Sequence, residues 1–282
     1  MYKFIIFCLA WSAIFIACGT SSEIAGTVVN DEYMLHDNTV SIRPQIEIKE
    51  FALDTETVNL IHCLQYIDQD AKGTLSFLNE YNNSIYFFDY ESGCFSHRLP
   101  VTINPNTDNK SEKIQAYHYV NDNQLYVYAY ASGTLWEIDS ASNVRKKYQL
   151  SDVSNSNFQL IRPYAYCNTL SPLHKYGDSI LCVGMVTGET HAETSTNRPI
   201  GFIYNLHNRQ SRYVVNYPEP YQTYNWAGNL TYRLPRYDTD ATSMIVCFPA
   251  SHRLLRYDLA TGQETSYYAG SSAIESIRSF PS

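Results

Sequence analysis

The sequence has few charged residues, and basic residues are the scarcer kind. It contains 20 Lys and Arg against 28 Asp and Glu, and charged residues make up 17% of its 282 positions. The shortage of basic residues argues against nucleic acid as a partner, because binding a polyanion needs an excess of positive charge. The low charge and the 44% hydrophobic content also exclude a disordered chain.

Catalytic and metal-binding motifs are also scarce. The sequence has no zinc-type Cys-x-x-Cys and no His-Glu-x-x-His. His191-Ala192-Glu193 lacks the Pro-Cys-x-x-Cys partner of a zinc deaminase, and Gly177-Asp178-Ser179 lacks the closing glycine and the helix of a nucleophile elbow. Asp68-Gln69-Asp70 and Asp238-Thr239-Asp240 do not continue into a calcium-binding loop. The sequence therefore predicts no cofactor, no metal site and no catalytic residue.

The longest apolar run lies at the start of the sequence. Residues 4–17 follow Lys3 and are nearly all apolar, a length that is too short to span a bilayer and typical of a signal peptide. Ile16-Ala17-Cys18 resembles the lipobox of bacterial lipoproteins, in which the cysteine is acylated and becomes the mature N-terminus. An ordinary secretory signal with a chance cysteine is the alternative.

The lipobox resemblance implies three segments and a location. Residues 1–17 are a signal peptide, residues 18–45 are the lipidated Cys18 and a polar tether, and residues 46–282 are the folded domain. The lipid would attach the domain to a membrane of the cell envelope. Gly19 differs from the acidic signal for inner-membrane retention, so the outer membrane is preferred, and its periplasmic and external faces both stay open.

Five cysteines remain in the expected domain, an odd number, so at least one has no intramolecular partner. Most of them lie in apolar, strand-like contexts that are typical of buried small hydrophobic residues. A disulfide between Cys167 and Cys182 is the alternative, because the two fall in segments predicted to be neighbouring strands. The five are Cys63, Cys94, Cys167, Cys182 and Cys247.

The expected domain has the pattern of an all-β fold. Short runs rich in aromatic and β-branched residues alternate with clusters of Asn, Asp, Ser and Gly, and helical periodicity is almost absent. Residues 114–150 predict four antiparallel strands, 114–120, 124–131, 134–138 and 144–150. The 25 Tyr fit this fold, because a row of tyrosines on one strand can pack on the next layer.

A turn motif repeats where the third strand of each predicted sheet meets the fourth. Each copy has Asp or Asn after an apolar strand end, two free positions, then Ser, Thr or Asn, and usually Gly or Asn. The Asp or Asn side chain can cap the amides of its own turn. These repeats predict a β-propeller of four-stranded antiparallel blades with four to five blades, and the length also fits an incomplete ring. The anchors are Asp89, Asp139, Asn205 and Asp258, with a weaker copy at Asp54.

Two connections between the predicted blades are rich in aromatic residues. Such connections line one mouth of a propeller. Aromatic rings beside Arg and Asn often form binding sites for sugars or peptides. The alternative is that the rings pack between blades. The candidate ligand-binding residues are Arg162, Tyr164 and Tyr166 in the first connection and Tyr221, Tyr224 and Trp226 in the second.

The chain resembles a group of uncharacterised lipoprotein β-propellers from Bacteroides-type Gram-negative bacteria, which are akin to six-bladed, TolB-like propellers. The similar parts are the lipobox at Cys18, the segment Asn83–Tyr90 and the unit Arg256–Gly262. The resemblance implies a lipid-anchored envelope propeller and carries over no activity. Members of the group are longer by one or two blades, so a C-terminally truncated copy is a further interpretation.

Three functional hypotheses follow. The preferred one is binding of an envelope protein, a peptide or a glycan through the loops near residues 162–166 and 217–226, because catalytic motifs are absent. The second is a carbohydrate-active lyase or hydrolase, which requires acids or histidines that converge in the central channel. The third is a truncated copy with no independent function.

Overall fold

A computed structural model of the chain shows an almost entirely β-stranded protein. It describes residues 27–29, 48–57, 61–69, 72–103, 112–150, 162–163, 167–183, 186–187, 199–219, 221, 234–237 and 242–269. The predicted signal peptide, Cys18 and most of the predicted tether lie outside the described residues. Within the described part, no helix has the length and apolarity needed to cross a bilayer.

Sixteen strands form four antiparallel sheets of four strands each, in sequence order. Blade 1 has β2 (His62–Gln69), β3 (Lys72–Asn79), β4 (Ser84–Asp89) and β5 (Phe95–Pro100). Blade 2 has β6 (Ala116–Asn121), β7 (Gln124–Ala129), β8 (Thr134–Ile138) and β9 (Val144–Gln149). Blade 3 has β11 (His174–Tyr176), β12 (Ser179–Val183), β14 (Pro199–Asn205) and β15 (Ser211–Asn216). Blade 4 has β16 (Leu234–Tyr237), β17 (Ser243–Cys247), β18 (Arg253–Asp258) and β19 (Glu264–Tyr268).

The four sheets are the blades of a four-bladed β-propeller, arranged in a ring. This confirms the predicted all-β propeller and the lower of the two predicted blade numbers. Three further strands lie outside the four blades. β1 (Thr27–Val29) pairs in parallel with β19, and β10 (Arg162–Pro163) pairs antiparallel with β13 (Val186–Thr187).

The weak fifth repeat does not form a blade. The carboxylate of Asp54 accepts hydrogen bonds from the Glu56 amide at 3.0 Å and from the Thr57 hydroxyl at 2.5 Å, so its turn is capped like the others. Residues 48–57, however, contain no strand. They lie against blade 1, where the Phe51 ring meets the Phe88 ring edge-on at 5.8 Å. Counting capped turns therefore gives a larger number of blades than the fold has.

The antiparallel order gives the propeller two different faces. The turns from the third to the fourth strand of each blade lie on one face, which we call the Asp-turn face: residues 89–94, 139–143, 205–210 and 258–263. The turns from the second to the third strand and the connections between blades lie on the other. We call this second surface the connection face: residues 80–83, 101–103, 130–133 and 167–173.

The core lies between the blades. One hydrophobic cluster runs through blades 1 to 3 and includes Ile85, Leu125 and Phe202, and a second joins blades 3 and 4 through Val183 and Met244. Since both faces of a blade are covered, its middle strands are continuous apolar runs instead of alternating ones. Every residue of Leu125–Ala129 is buried for this reason.

Many of the tyrosines contribute to this packing, as the sequence predicts. Tyr126 and Tyr128 are buried, and the Tyr117 hydroxyl of blade 2 donates a hydrogen bond to Ser76 of blade 1 at 2.7 Å. Tyr130 lies beyond the end of β7, in a turn, and is 39% exposed. Buried tyrosines thus join neighbouring blades by ring packing and by hydroxyl hydrogen bonds.

Candidate functional site

The segment 167–173 closes the centre of the connection face. It precedes the first strand of blade 3 and reaches all three other blades. The Leu64 amide of blade 1 donates to the Thr169 hydroxyl at 3.1 Å, and Arg236 of blade 4 donates from Nη1 to the Leu170 carbonyl at 3.0 Å. His118 of blade 2 lies 3.1 Å from the Leu173 carbonyl through Nδ1. We call residues 167–173 the axial plug.

The plug holds its shape through its own hydrogen bonds. The Asn168 side-chain oxygen accepts from the amides of Leu170 at 2.8 Å and Ser171 at 3.0 Å, which is an Asx turn. The Asn168 amide donates to the Ser171 carbonyl at 3.0 Å. Cys167 and Leu173 are buried at the two ends of the plug. The plug is therefore an ordered part of the propeller, anchored at both ends.

Three aromatic side chains from three successive blades lie together beside the plug. The ring centroids of His118 and His174 are 5.5 Å apart in an edge-to-face arrangement, and the rings of His174 and Tyr237 stack at 3.9 Å. We call these three residues the axial stack. Each lies in the first strand of its blade, β6, β11 or β16. The stack therefore connects blades 2, 3 and 4 at the axis.

Burial keeps two members of the axial stack, His118 and Tyr237, uncharged. It lowers the pKa of His118 to about 3, with a further contribution from the neighbouring His174. Burial also raises the pKa of the Tyr237 hydroxyl well above its ordinary value. His118 is therefore neutral at pH 7, and its Nδ1 must carry the proton that it donates to the Leu173 carbonyl, because a carbonyl only accepts.

The outer surface of the plug combines apolar and cationic groups. Leu170 is 48% exposed, and Leu64, whose amide binds the plug, is 36% exposed. The exposed Arg236 places its guanidinium beside them, since Nη1 donates to the carbonyls of Leu170 and Pro235. Further out on the same face, Tyr81 is 82% exposed. Among the described residues, the surface around the plug therefore combines apolar side chains with the Arg236 guanidinium, and we call Leu64, Leu170 and Arg236 the platform.

The structure places Tyr221 in the core and not on the mouth surface. Tyr221 is only 7% exposed, and its hydroxyl accepts a hydrogen bond from the Ala250 amide at 2.8 Å. Its ring packs against those of Tyr217 and Phe248, with centroids 5.3 and 5.7 Å away. Tyr221 thus joins blades 3 and 4, which is the packing alternative for this residue.

The other predicted ligand-binding residues are described less fully. The backbone of Arg162 pairs with Thr187 between β10 and β13, but its side chain lies outside the described part. Tyr164, Tyr166, Tyr224 and Trp226 lie wholly outside it. Their ligand-binding role therefore stays a prediction.

The repeated turn residues cap their own hairpins. Asp139 Oδ1 accepts from the amides of Ala141 at 3.0 Å and Asn143 at 2.9 Å, and Asp258 Oδ1 accepts from the Thr261 amide at 2.7 Å. Hydrogen bonding, from the Asn143 side chain above all, lowers the pKa of Asp139. Glycine occupies position 262 because the backbone φ there is +76°, a conformation that other residues rarely adopt.

The same arrangement recurs in the other two turns. Asp89 Oδ1 accepts from the Ser92 amide at 2.7 Å, and the Asn205 side-chain oxygen accepts from the amides of His207 and Asn208, both at 2.9 Å. All four anchors therefore lie on the Asp-turn face, in equivalent positions of the four blades.

The five cysteines of the described part are free thiols. Cys63, Cys167 and Cys182 are buried in the same hydrophobic cluster, whereas Cys94 is exposed on the Asp-turn face. Burial raises the pKa of the Cys63 thiol far above its ordinary value, so it stays protonated and unreactive at neutral pH. Among the described residues, no group of three His, Cys, Asp or Glu is arranged to hold a metal ion.

Sequence reasoning missed the axial plug and the axial stack. The plug sequence, Cys167–Leu173, contains an Asn and a Pro but no motif that indicates a position on the axis. His118, His174 and Tyr237 occupy different positions within their strands, so no repeat aligns them. Both features depend on contacts between residues that are 50 or more positions apart, which a local pattern does not report.

Comparisons with known structures agree with this architecture. A member of the DUF4221 family from Bacteroides vulgatus has 16% sequence identity and a TM-score of 0.62, and the match covers 82% of this chain and 64% of that protein. The chain thus spans less than two thirds of the length of this relative. A Bacteroides fragilis protein assigned as exported has 10% identity and a TM-score of 0.44, over 77% of this chain and 52% of the other.

At 16% identity, the likeness to the Bacteroides vulgatus protein extends to the fold alone. A search of the curated proteins finds no match to the chain. The sequence profile of a domain of unknown function, DUF4221, matches residues 39–281, a range that includes all four blades. The chain therefore belongs to the DUF4221 family, whose function is unknown.

Proposed function

We propose that this protein is a lipid-anchored β-propeller of the cell envelope that binds a protein, peptide or glycan partner on its connection face. The observation that carries the proposal is the platform at the mouth, where Leu64 of blade 1 and Arg236 of blade 4 bind the axial plug beside its exposed Leu170. Exposed apolar side chains beside a fixed cation are typical of recognition surfaces.

The rigidity of the platform supports a binding role. Hydrogen bonds from Leu64, His118 and Arg236 hold the plug to three different blades. A partner that docks on the plug therefore does not have to order it first, and avoiding that cost favours affinity. The Arg236 guanidinium additionally suits a partner with a carboxylate or another acceptor at the contact.

Binding is preferred to catalysis because of the chemistry at the axis. The carbohydrate-active alternative needs acid–base groups that reach a substrate in the channel. Of the two histidines at the axis, His118 is held neutral by burial. Its Nδ1 donates its proton in a hydrogen bond to the Leu173 carbonyl of the plug. This histidine therefore holds the plug in place, on the side away from the platform surface.

The membrane anchor rests on the sequence at Cys18 and has a direct test. Metabolic labelling with a palmitate analogue, followed by membrane fractionation, should show a labelled, membrane-bound protein for the wild type. Cys18→Ala should lose both the label and the membrane association. Cys8→Ala is the matched control, because Cys8 lies inside the predicted signal peptide, and it should behave like the wild type.

Partner binding is tested by crosslinking from the platform in living cells. A photoreactive amino acid in place of Leu170 should give discrete crosslinked species. The control position is Asn208, which is exposed on the Asp-turn face and should give none. Equal crosslinking from both positions, or none from position 170, would refute the platform as the binding surface. Labelling and crosslinking therefore test the anchor and the partner separately.

A further inference from the structure

The tether does not run free of the propeller along its whole length. β1 pairs in parallel with β19, the outermost strand of blade 4, with Thr27 opposite Thr265 and Val29 opposite Tyr267. β1 falls within residues 18–45, the segment that the sequence predicts to be a tether. Blade 4 thus gains a fifth strand from the N-terminal part of the chain.

The parallel direction of this pairing determines toward which face of the propeller the N-terminal end of β1 lies. β19 begins at Glu264, directly after the Asp258–Gly262 turn of the Asp-turn face. Because the two strands are parallel, the N-terminal end of β1 lies at the same end as the start of β19. Thr27, the N-terminal end of β1, therefore lies toward the Asp-turn side of blade 4.

The length of chain before β1 is short compared with the propeller. Cys18 stands nine residues before Thr27. Nine residues span at most about 30 Å. A blade strand of five or six residues is about 17–20 Å long, which is the distance between the two faces before their loops are added. Cys18 therefore lies within about 30 Å of the Asp-turn end of blade 4, and it reaches past the blade and its loops only if these nine residues are almost fully extended.

We propose that the pairing of β1 with β19 orients the propeller on the membrane, with the Asp-turn face toward the lipid and the connection face away from it. This rests on the lipid anchor at Cys18 in the proposed function. It adds that the connection face is the surface that stays accessible to a partner. The platform at Leu170 points into the aqueous space, where a partner can reach it.

The turns of the Asp-turn face agree with this orientation. The Asp-turn face has polar turns whose carboxylates accept hydrogen bonds from their own backbone, as Asp89 and Asp258 do. Such a surface favours the hydrated layer beside the headgroups over burial in the bilayer. The exposed apolar residues Leu170 and Tyr81 lie on the opposite face, where they stay available to another molecule.

Energy transfer from the two faces to the membrane tests the orientation. Ala141 in the Asp-turn face and Ala131 in the connection face are both exposed, and both belong to blade 2. Each is changed to Cys in the full-length lipidated chain, in a background where Cys94 and Cys247 are Ser. A donor dye is attached to the new thiol, and the protein is reconstituted into phosphatidylcholine vesicles that contain an acceptor-labelled lipid.

The label at position 141 should lie about 20 Å closer to the acceptor plane than the label at position 131, which is one strand length. Equal transfer from the two positions, or more from position 131, would overturn the orientation. Val28→Pro removes a backbone donor from β1 and should bring the two signals together if the pairing sets the orientation. Protein that fails to float with the vesicles would contradict the lipid anchor itself, and with it this inference.

Discussion

The partly buried His118 should make the stability of the protein depend on pH between 7.5 and 5.5. In the folded protein its pKa is lowered to about 3, mainly by burial. In the unfolded chain the ordinary value of about 6.5 applies. Between these two values the unfolded chain binds more protons than the folded one, so the free energy of unfolding falls as the pH falls.

The size of the effect follows from the two pKa values. At pH 5.5 the unfolded imidazole is mostly protonated and the folded one is not, which costs about 1.4 kcal/mol relative to pH 7.5, a tenfold change in the folding equilibrium. The carboxylates contribute alike in the wild type and in a His118 variant, including Glu264, whose pKa burial raises. Hydrogen bonds lower the pKa values of Asp139 and Asp258, so the stability they contribute is lost only at more acidic pH.

Urea unfolding at the two pH values measures the effect. His118→Asn keeps an amide N–H for the Leu173 carbonyl but has no titratable ring, so its loss of stability on acidification should be about 1.4 kcal/mol smaller than that of the wild type. His207→Asn, at an exposed turn position, is the matched control and should retain the wild-type difference. If His118→Asn and the wild type lose equal stability, the burial of this histidine at the axis is wrong.

Three further predictions concern the turns, the core and the thiols. Asp139→Ala removes the acceptor of several turn hydrogen bonds and should lower the free energy of unfolding by about 1–2 kcal/mol in urea titration; an unchanged midpoint would show that the cap is not needed. Tyr221→Phe leaves the buried Ala250 amide without its acceptor and should cost about 1–3 kcal/mol, whereas Tyr81→Phe at an exposed site should cost nothing measurable. A maleimide added to the folded protein should modify the exposed Cys94 ahead of the buried thiols, and peptide mapping that finds the reverse order would contradict the described burial.

The blades were predictable because their signals are local. Strand runs and capped turns lie within a few residues of each other, and the four turns at Asp89, Asp139, Asn205 and Asp258 each end the third strand of a blade. Asp54 shows the limit of that reasoning. Its side chain caps a turn in the same way, yet the described residues around it, 48–57, form no strand. Whether a turn belongs to a blade depends on the neighbouring strands with which it pairs.

The site was less predictable, since propeller mouths are built from segments that are far apart in sequence. An aromatic residue in a loop can pack into the core or stay exposed at the surface, and the sequence of its own segment does not show which. Tyr221 packs into the core because the Phe248 ring and the Ala250 amide, both from blade 4, lie within reach. Leu170 is exposed because it lies at the tip of a turn that Asn168 closes.

The axial plug links the stability of the ring to the shape of the platform. One segment of seven residues accepts hydrogen bonds from blades 1, 2 and 4 while it continues into the first strand of blade 3. A movement of any blade relative to the others would therefore break a bond to the plug. The groups that hold the plug thus also keep Leu170 and Arg236 in place, so a partner meets a preformed surface. The same coupling predicts that His118→Asn, which keeps the bond to Leu173, should preserve crosslinking from position 170, whereas His118→Ala, which removes that bond, should weaken it.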